Sequence, residues 1–142
     1  MTVQQFMTAN PVSVHPETPL PEAAELMKRG RFRRLPVLRD DGELLGIVTD
    51  RDIKQAMPSE ATSLSIWEIN YLIPKIKVFE IMTQPVVTVL TSAPLQYAAR
   101  LMLERKIGGM PVMDGSRVVG MLTATDILRA FVQETTNERS AK

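Results

Sequence analysis

The sequence predicts an α+β fold built from two pseudo-symmetric copies of one β-α-β-β-α unit, packed sheet to sheet into a single module. Residues 7–37 align with residues 82–112, and 12 of the 31 aligned pairs are identical. After a one-residue deletion in a turn, residues 40–53 align with residues 114–127. Such a repeat indicates two structural copies, and about fifty residues so arranged would bury only a small core alone. We therefore expect the two copies to complete a common fold.

The first half of each repeat predicts a short strand followed by an amphipathic helix. The strand is expected at residues 12–14 and again at residues 86–89. Pro19 or Pro94 then stands at the start of the helix, where proline is favoured. Apolar side chains recur at the i, i+3, i+4, i+7 spacing of one helix face. This face comprises Leu20, Ala23, Ala24 and Met27 in the first repeat and Leu95, Ala98, Ala99 and Met102 in the second.

The second half of each repeat predicts a pair of strands and a closing helix. The first strand contains "LPVL" or "MPVM", and the second contains "LLGIV" or "VVGML". The polar turns "RDDGE" and "DGS" separate them, and apolar runs bounded by such turns are typical of strands. The closing helix is expected at residues 50–56 and at residues 124–132.

A Thr-x-x-Asp pattern marks the start of each closing helix, as Thr49 with Asp52 and as Thr123 with Asp126. This is the spacing of a capping box, in which the threonine hydroxyl accepts a hydrogen bond from a helix N–H group. An ionised aspartate is also an acceptor with two oxygens, which suits a vicinal diol, and a helix N-terminus offers N–H groups to phosphate. The pattern alone leaves both interpretations open.

The full pattern resembles the CBS domain, and its repetition resembles a tandem CBS pair, or Bateman module. The matching motif reads "MT-x-x-P-V-x-V", "T-P-L-x-E-A", "L-P-V" and "G-x-V-T-x-x-D-I", and the resemblance covers residues 3–131. The connecting stretch "SLSIWEINYLIPKIKVFEIMT" is similar to that of acetoin-utilisation-type bacterial CBS proteins, here without their ACT domain. The predicted domains are CBS repeat 1 (1–57), a connecting helical segment (58–77), CBS repeat 2 (78–133) and a polar tail (134–142).

The resemblance implies a regulatory module that senses an adenine nucleotide (AMP, ADP or ATP) in clefts between the two repeats. Its ribose-binding residues would be Asp52 with Thr49, and Asp126 with Thr123. In this family the base lies in an apolar slot formed by the early strand of the repeat that does not supply the aspartate. The slot residues would be Met82, Val86, Val87 and Ile107 for the Asp52 site, and Met7, Pro11, Val12 and Phe32 for the Asp126 site. Without the resemblance, these side chains would be interpreted as core.

The two implied sites differ at the positions that the resemblance assigns to phosphate. These positions are Arg33, Arg34 and Arg51 in repeat 1, and Gly108 and Gly109 in repeat 2. A guanidinium presents a planar fork of donors that matches phosphate oxygens, whereas glycine offers only backbone and space. We therefore expect the Asp52 site to favour phosphate, and the Asp126 site to be weaker or to take a less charged ligand.

Five basic residues lie within the seven positions 28–34 and have three interpretations. They can contact nucleotide phosphate, form a solvated helix end, or belong to a nucleic-acid-binding surface. Nucleic acid is the least favoured, because the net charge is only +1 and no aromatic stacking platform accompanies the cluster. A structural or dimerisation module that regulates a partner protein without nucleotide is the other alternative.

The composition and motifs indicate a binding protein and not an enzyme. The chain has no cysteine and one histidine, His15, and it contains no phosphate-binding glycine loop, nucleophile motif or metal-spaced cluster. We expect no catalytic residue, no metal and no required cofactor, with the adenine nucleotide as a regulatory ligand. A cytoplasmic protein without a membrane partner is expected, since the sequence has no signal peptide or membrane-spanning apolar run.

The connecting segment predicts an amphipathic helix that Pro74 bends or ends. Aromatic residues are frequent at interfaces, although a helix that covers its own module is an equal interpretation. The apolar residues of this helix are Leu64, Trp67, Ile69, Tyr71, Leu72 and Ile76. The resemblance further implies a homodimer with closed two-fold symmetry and a regulated protein partner of unknown identity.

Overall fold

The structure, a computed structural model, describes residues 1–57 and 65–141. The chain combines helices and strands in two repeats, so the predicted α+β class is confirmed. A short 3-10 helix covers Ile73–Lys75. The other elements, in chain order, are α1 (Val3–Phe6), β1 (Thr8–Ala9), α2 (Leu20–Gly30), β2 (Arg34–Leu38), β3 (Leu44–Thr49), α3 (Asp50–Ala56), α4 (Ile66–Leu72), α5 (Val78–Ile81), β4 (Val89–Leu90), α6 (Leu95–Arg105), β5 (Gly109–Asp114), β6 (Arg117–Thr123) and α7 (Ala124–Ala141).

The chain forms two compact units whose limits differ from those of the repeats. The first, here called the Asp52 unit, spans residues 12–86. The second, here called the Asp126 unit, combines residues 1–11 with the chain from Val87 onward. The opening segment of each repeat is therefore built into the unit that contains the main part of the other repeat.

Each unit contains the same arrangement of paired segments. In the Asp126 unit a sheet has the order β1-β6-β5-β4, in which β4 runs parallel to β5 and the other neighbours are antiparallel. In the Asp52 unit β2 and β3 form an antiparallel hairpin. Single bridges take the place of the outer strands there. Val14 pairs in parallel with Val37, and Thr83 pairs in antiparallel fashion with Ile47. The repeat in sequence is thus a repeat in strand topology.

Two short helices, which the sequence did not predict, hold the opening segment of each repeat in the unit of the other repeat. We call these the exchanged segments. In α1, the N–H of Val3 donates to the carbonyl oxygen of Ala93 at 2.9 Å. In α5, the N–H of Val78 donates to the carbonyl oxygen of Thr18 at 2.9 Å. Val3 and Val78 are both fully buried. Each opening segment is therefore held in its unit by backbone hydrogen bonds and by core packing.

The predicted helix faces form the centre of the two hydrophobic cores. Ala24 lies partly buried against the core of the Asp52 unit. The fully packed members of the faces are Leu20, Ala23 and Met27 in α2, and Leu95, Ala98 and Met102 in α6. The strands supply the facing side chains, among them Leu35 and Val37 in one unit and Met110 and Val112 in the other. The helical periodicity therefore predicted the core correctly.

The last helix is longer than the sequence predicted. We expected it to end near residue 132, but α7 continues to Ala141 and includes most of the predicted polar tail. Residues 133–141 contain neither proline nor glycine, so no strong helix-breaking residue ends the helix at the predicted position.

In the part of the connecting segment that the structure describes, an α-helix ends before Pro74, as predicted. α4 ends at Leu72 and is followed by the 3-10 helix. Trp67 is 81% exposed, and the ammonium of Lys75 lies 3.7 Å from the centre of the Tyr71 ring. Leu64 lies outside the described residues. Among the residues that the structure describes, no helix is both long and apolar enough to cross a membrane.

Candidate functional site

The Thr-x-x-Asp motif of the Asp52 unit forms a complete capping box. Thr49 ends β3 and is the N-cap of α3, with a φ of −110° and a ψ of 162°. The N–H of Thr49 donates to Oδ2 of Asp52 at 2.9 Å, and the N–H of Asp52 donates to Oγ1 of Thr49 at 3.0 Å. The local interpretation of the motif is therefore confirmed. One carboxylate oxygen is held in a fixed position by this contact.

A second threonine approaches the same carboxylate. Oγ1 of Thr83 lies 3.3 Å from Oδ2 and 3.5 Å from Oδ1 of Asp52. Both distances are long for an O–H···O hydrogen bond, which is usually about 2.7 Å. Asp52 is half-buried, so its Oδ1 keeps most of its acceptor capacity and remains within reach of a ligand hydroxyl.

A close backbone approach places Thr83 next to Asp52. The N–H of Thr83 donates to the carbonyl oxygen of Ile47 at 2.8 Å, and the N–H of Ile47 donates back at 3.1 Å. A Cβ atom on the neighbouring Gly46 would lie 2.6 Å from Sδ of Met82. Glycine at this point of β3 allows the segment to cross closely, and a larger residue would first require the Met82 side chain to move.

The arginines predicted to bind phosphate lie beside the start of α3. Arg34 pairs with Thr49 across the β2–β3 hairpin, and the carbonyl oxygen of Arg33 accepts a hydrogen bond from the N–H of Asp50 at 2.8 Å. Burial lowers the pKa of the Arg34 guanidinium, while Asp50 opposes that shift and Arg33 adds to it. Arg33 and Arg51 are exposed, whereas Arg34 is half-buried. Arg34 is therefore the least hydrated of the three cations and gains most from an incoming anion.

The Asp126 carboxylate is more fully engaged than that of Asp52. The N–H and Oγ1 of Thr123 donate to Oδ2 at 2.9 and 3.1 Å. Nη1 of Arg129 donates to Oδ1 at 3.0 Å. The Asp126 side chain is only 5% exposed, whereas that of Arg129 is 58% exposed. Both oxygens of this carboxylate therefore have partners within the unit.

The backbone around Asp126 repeats that of the first site, but the side chains differ. Gly109 pairs with Thr123, and the carbonyl oxygen of Gly108 accepts a hydrogen bond from the N–H of Ala124 at 2.9 Å. These are the contacts that Arg34 and Arg33 make in the Asp52 unit. The two glycines supply only backbone at the positions where the other unit has arginines.

The residues predicted to contact the base are divided between the units. Met82 and Val86 belong to the unit that contains Asp52, and Met7 and Pro11 belong to the unit that contains Asp126. The other four lie in the unit opposite to their assigned aspartate. Val87 and Ile107 pack against the core of the Asp126 unit. In the Asp52 unit, Val12 is exposed and the ring of Phe32 lies against Gly30. Contact of these eight side chains with a base stays a prediction.

An open cavity lies beside the first residues of β3, within the Asp52 unit. Its volume is about 480 Å³, and it is lined by Leu44, Leu45, Gln84, Pro85 and Val86. Nε2 of Gln84 donates to the carbonyl oxygen of Leu45 at 2.7 Å, which fixes one wall. Val86 is the residue of this cavity that the sequence had assigned to base contact.

Two residues at the carboxylates were not singled out from the sequence. Thr83 belongs to the repeated "MT" motif, so its recurrence was visible but its direction toward Asp52 was not. Arg129 aligns with Gln55 after the shift of 74 positions. A comparison of the repeats one helical turn beyond each aspartate would have found this difference.

The strand topology, the paired Thr-x-x-Asp motifs and the exchanged opening segments define a tandem CBS pair. The chain belongs to the CBS domain family, which matches residues 3–59 and 78–133. A CBS domain-containing protein of Dictyostelium discoideum is 33% identical over 92% of this chain and 91% of its own length. A homoserine O-acetyltransferase of Methanocorpusculum labreanum is 38% identical over 87% of this chain, which spans only 23% of that enzyme.

Solved structures of CBS proteins share the fold over nearly the whole chain. The CBS domain pair of protein MJ0100, in complex with 5′-methylthioadenosine and S-adenosyl-L-methionine, is 30% identical, with a TM-score of 0.78 and coverage of 94% of this chain and 98% of that chain. CBSX2, a protein of Arabidopsis thaliana, in complex with AMP is 34% identical, with a TM-score of 0.77 and the same coverage. The acetoin utilization protein AcuB from Vibrio cholerae is 27% identical, with a TM-score of 0.82 and coverage of 100% and 98%. The predicted resemblance to that type of CBS protein is confirmed.

Proposed function

We propose that this chain is a regulatory module that binds an adenine nucleotide, with the Asp52 carboxylate accepting the ribose hydroxyls. The observation that carries the proposal is the state of this carboxylate. One oxygen is fixed by Thr49, while the other has only a long contact to Thr83. The adenosyl ligands bound to the similar CBS pairs of MJ0100 and CBSX2 support the ligand class.

The chemistry of the Asp52 unit favours a phosphorylated adenosine. A ribose diol has two O–H donors, and an ionised carboxylate accepts both. Arg34 adds a half-buried cation beside the same helix start, where a phosphate oxygen would offer its guanidinium a charged acceptor. AMP, ADP and ATP each satisfy both requirements, so we rank them above uncharged adenosine at this site.

The module acts by binding and not by catalysis in this proposal. Ligand binding controls a partner only where the ligand prefers one of two states, so we propose that occupancy changes the affinity for a regulated protein. The proposal includes a cytoplasmic homodimer. Within the described residues, no group of three or more histidine, cysteine or acidic side chains is arranged to hold a metal ion.

A thermal-shift panel tests the proposed ligand class. We expect AMP, ADP or ATP to raise the unfolding temperature, because a ligand at a hundredfold its Kd adds about 2.7 kcal/mol to the free energy of unfolding. S-adenosyl-L-methionine and 5′-methylthioadenosine complete the panel, and 2′,3′-dideoxyadenosine is the control without a diol. A panel without any shift would favour the alternative of a structural module that works without nucleotide. Chromatography of the nucleotides after incubation should show them unchanged.

Replacing Arg34 by glutamine is expected to weaken AMP binding about tenfold and to leave adenosine binding nearly unchanged, because only AMP offers a phosphate to the guanidinium. Isothermal titration calorimetry measures both affinities. Arg29→Gln is the matched control, since Arg29 is exposed and contacts Glu25 at 3.3 Å. Equal losses for AMP and adenosine would show that Arg34 supports the unit structurally and does not contact phosphate.

A further inference from the structure

The two Thr-x-x-Asp motifs differ in the residue that follows the aspartate by three positions. In α7 this residue is Arg129, whose Nη1 lies 3.0 Å from Oδ1 of Asp126. In α3 the aligned residue is Gln55, which is exposed and uncharged. The two equivalent carboxylates therefore differ. The second oxygen of Asp126 is paired with a cation, whereas the second oxygen of Asp52 has only the long contact from Thr83.

We propose that Arg129 acts as a latch on the Asp126 carboxylate. Its guanidinium occupies Oδ1, and a ribose diol must displace this guanidinium before the diol can bind to Asp126. The inference rests on the proposed function, because it concerns the same diol-binding role of the aspartate. It adds a residue that decides how strongly the second site binds. Gln55 would leave the corresponding carboxylate in α3 accessible without such a displacement.

Burial and hydrogen bonding explain why the latch competes with a ligand. The N–H and Oγ1 of Thr123 already occupy Oδ2, so Oδ1 is the oxygen that a diol must reach. The Asp126 side chain is only 5% exposed, which leaves little surface that a hydroxyl could approach beside the guanidinium. Binding at Asp126 therefore exchanges one partner of Oδ1 for another.

The exposure of Arg129 makes this exchange reversible. Its side chain is 58% exposed, so the guanidinium can rotate into water and be hydrated there. An ion pair with one exposed member is worth little, and the expected change in affinity is about fivefold. The two sites would then fill over different ranges of ligand concentration, which gives the module a response in two steps.

The experiment uses the full chain and 5′-methylthioadenosine, which carries the ribose diol but no phosphate. In an Asp52→Ala background, Arg129→Gln should strengthen its binding about fivefold. In an Asp126→Ala background, Gln55→Arg should weaken its binding by a similar factor, because it places a guanidinium near Asp52. Arg117→Gln, which removes an exposed arginine of β6, is the charge control in the first background and should change nothing.

The outcomes separate the latch from the proposed function. Unchanged or weaker 5′-methylthioadenosine binding after Arg129→Gln in the Asp52→Ala background, while the chain with Asp52 intact still binds the panel ligands, would overturn the latch alone. Weaker binding would mean that Arg129 holds Asp126 in its binding geometry. A wild-type chain that binds no adenosyl ligand would overturn the proposed function, and the latch with it. If Arg129→Gln lowers the urea midpoint enough to unfold the protein, the Gln55→Arg measurement decides the question.

Discussion

Replacing Asp52 by asparagine is expected to weaken AMP binding about 10- to 100-fold, since hydrogen bonds to a charged group contribute roughly 1.5–3 kcal/mol each. Asparagine keeps one acceptor oxygen, which can still accept from the N–H of Thr49, so the helix cap is largely preserved. It replaces the second oxygen by an amide donor, and the diol then loses a charged acceptor. Isothermal titration calorimetry measures the change, and urea unfolding checks that the fold is intact.

Two further variants make the Asp52 result specific. Glu22→Gln removes one negative charge from an exposed position of the same unit and should leave AMP binding unchanged. Asp126→Asn should have a smaller effect than Asp52→Asn, because the Asp126 carboxylate is already engaged by Arg129. An equal or greater loss in the Asp126 variant would contradict the expected ranking of the two sites.

Replacing Gly120 by alanine is expected to lower the free energy of unfolding by about 1–3 kcal/mol, the usual range for overpacking. The new Cβ atom would lie 2.5 Å from Sδ of Met7 and 2.9 Å from the carbonyl oxygen of Thr8. A thioether can rotate away, but the carbonyl belongs to the backbone of β1, which pairs with β6. Urea unfolding measures the difference, and we expect it to exceed that of Gly46→Ala, where the carbonyl of Thr83 is 3.1 Å away.

A double-mutant cycle identifies the atoms responsible for the clash. Met82→Ala should restore much of the stability lost in Gly46→Ala, because Sδ of Met82 is the nearer obstacle in that unit. Met7→Ala should restore less of the stability lost in Gly120→Ala, because the Thr8 carbonyl stays in place. Additive effects of Gly46→Ala and Met82→Ala would show that the side chain is not the obstacle.

Most secondary structure and both aspartate motifs could be predicted, because they depend on residues a few positions apart. The apolar side chains from Leu20 to Met27 recur at helical spacing on one face of α2, and their burial agrees with that periodicity. The capping box of Thr49 and Asp52 spans three positions and forms as its spacing predicts. The end of α7 could not be placed, since its last residues contain no strong stop signal.

The sequence by itself determined the α+β class, the two repeats and the recurrence of Thr49 with Asp52 in Thr123 with Asp126. Local periodicity and capping chemistry are sufficient for these features. Only the tertiary structure decided that Thr83 approaches Asp52 and that the guanidinium of Arg129 covers Asp126. Residues 52 and 83 meet through the pairing of distant strand segments, and the Thr-x-x-Asp spacing does not reveal that the carboxylate of Asp126 is buried and paired with Arg129. The two equivalent motifs thereby acquire different surroundings, from which we propose two sites of different strength.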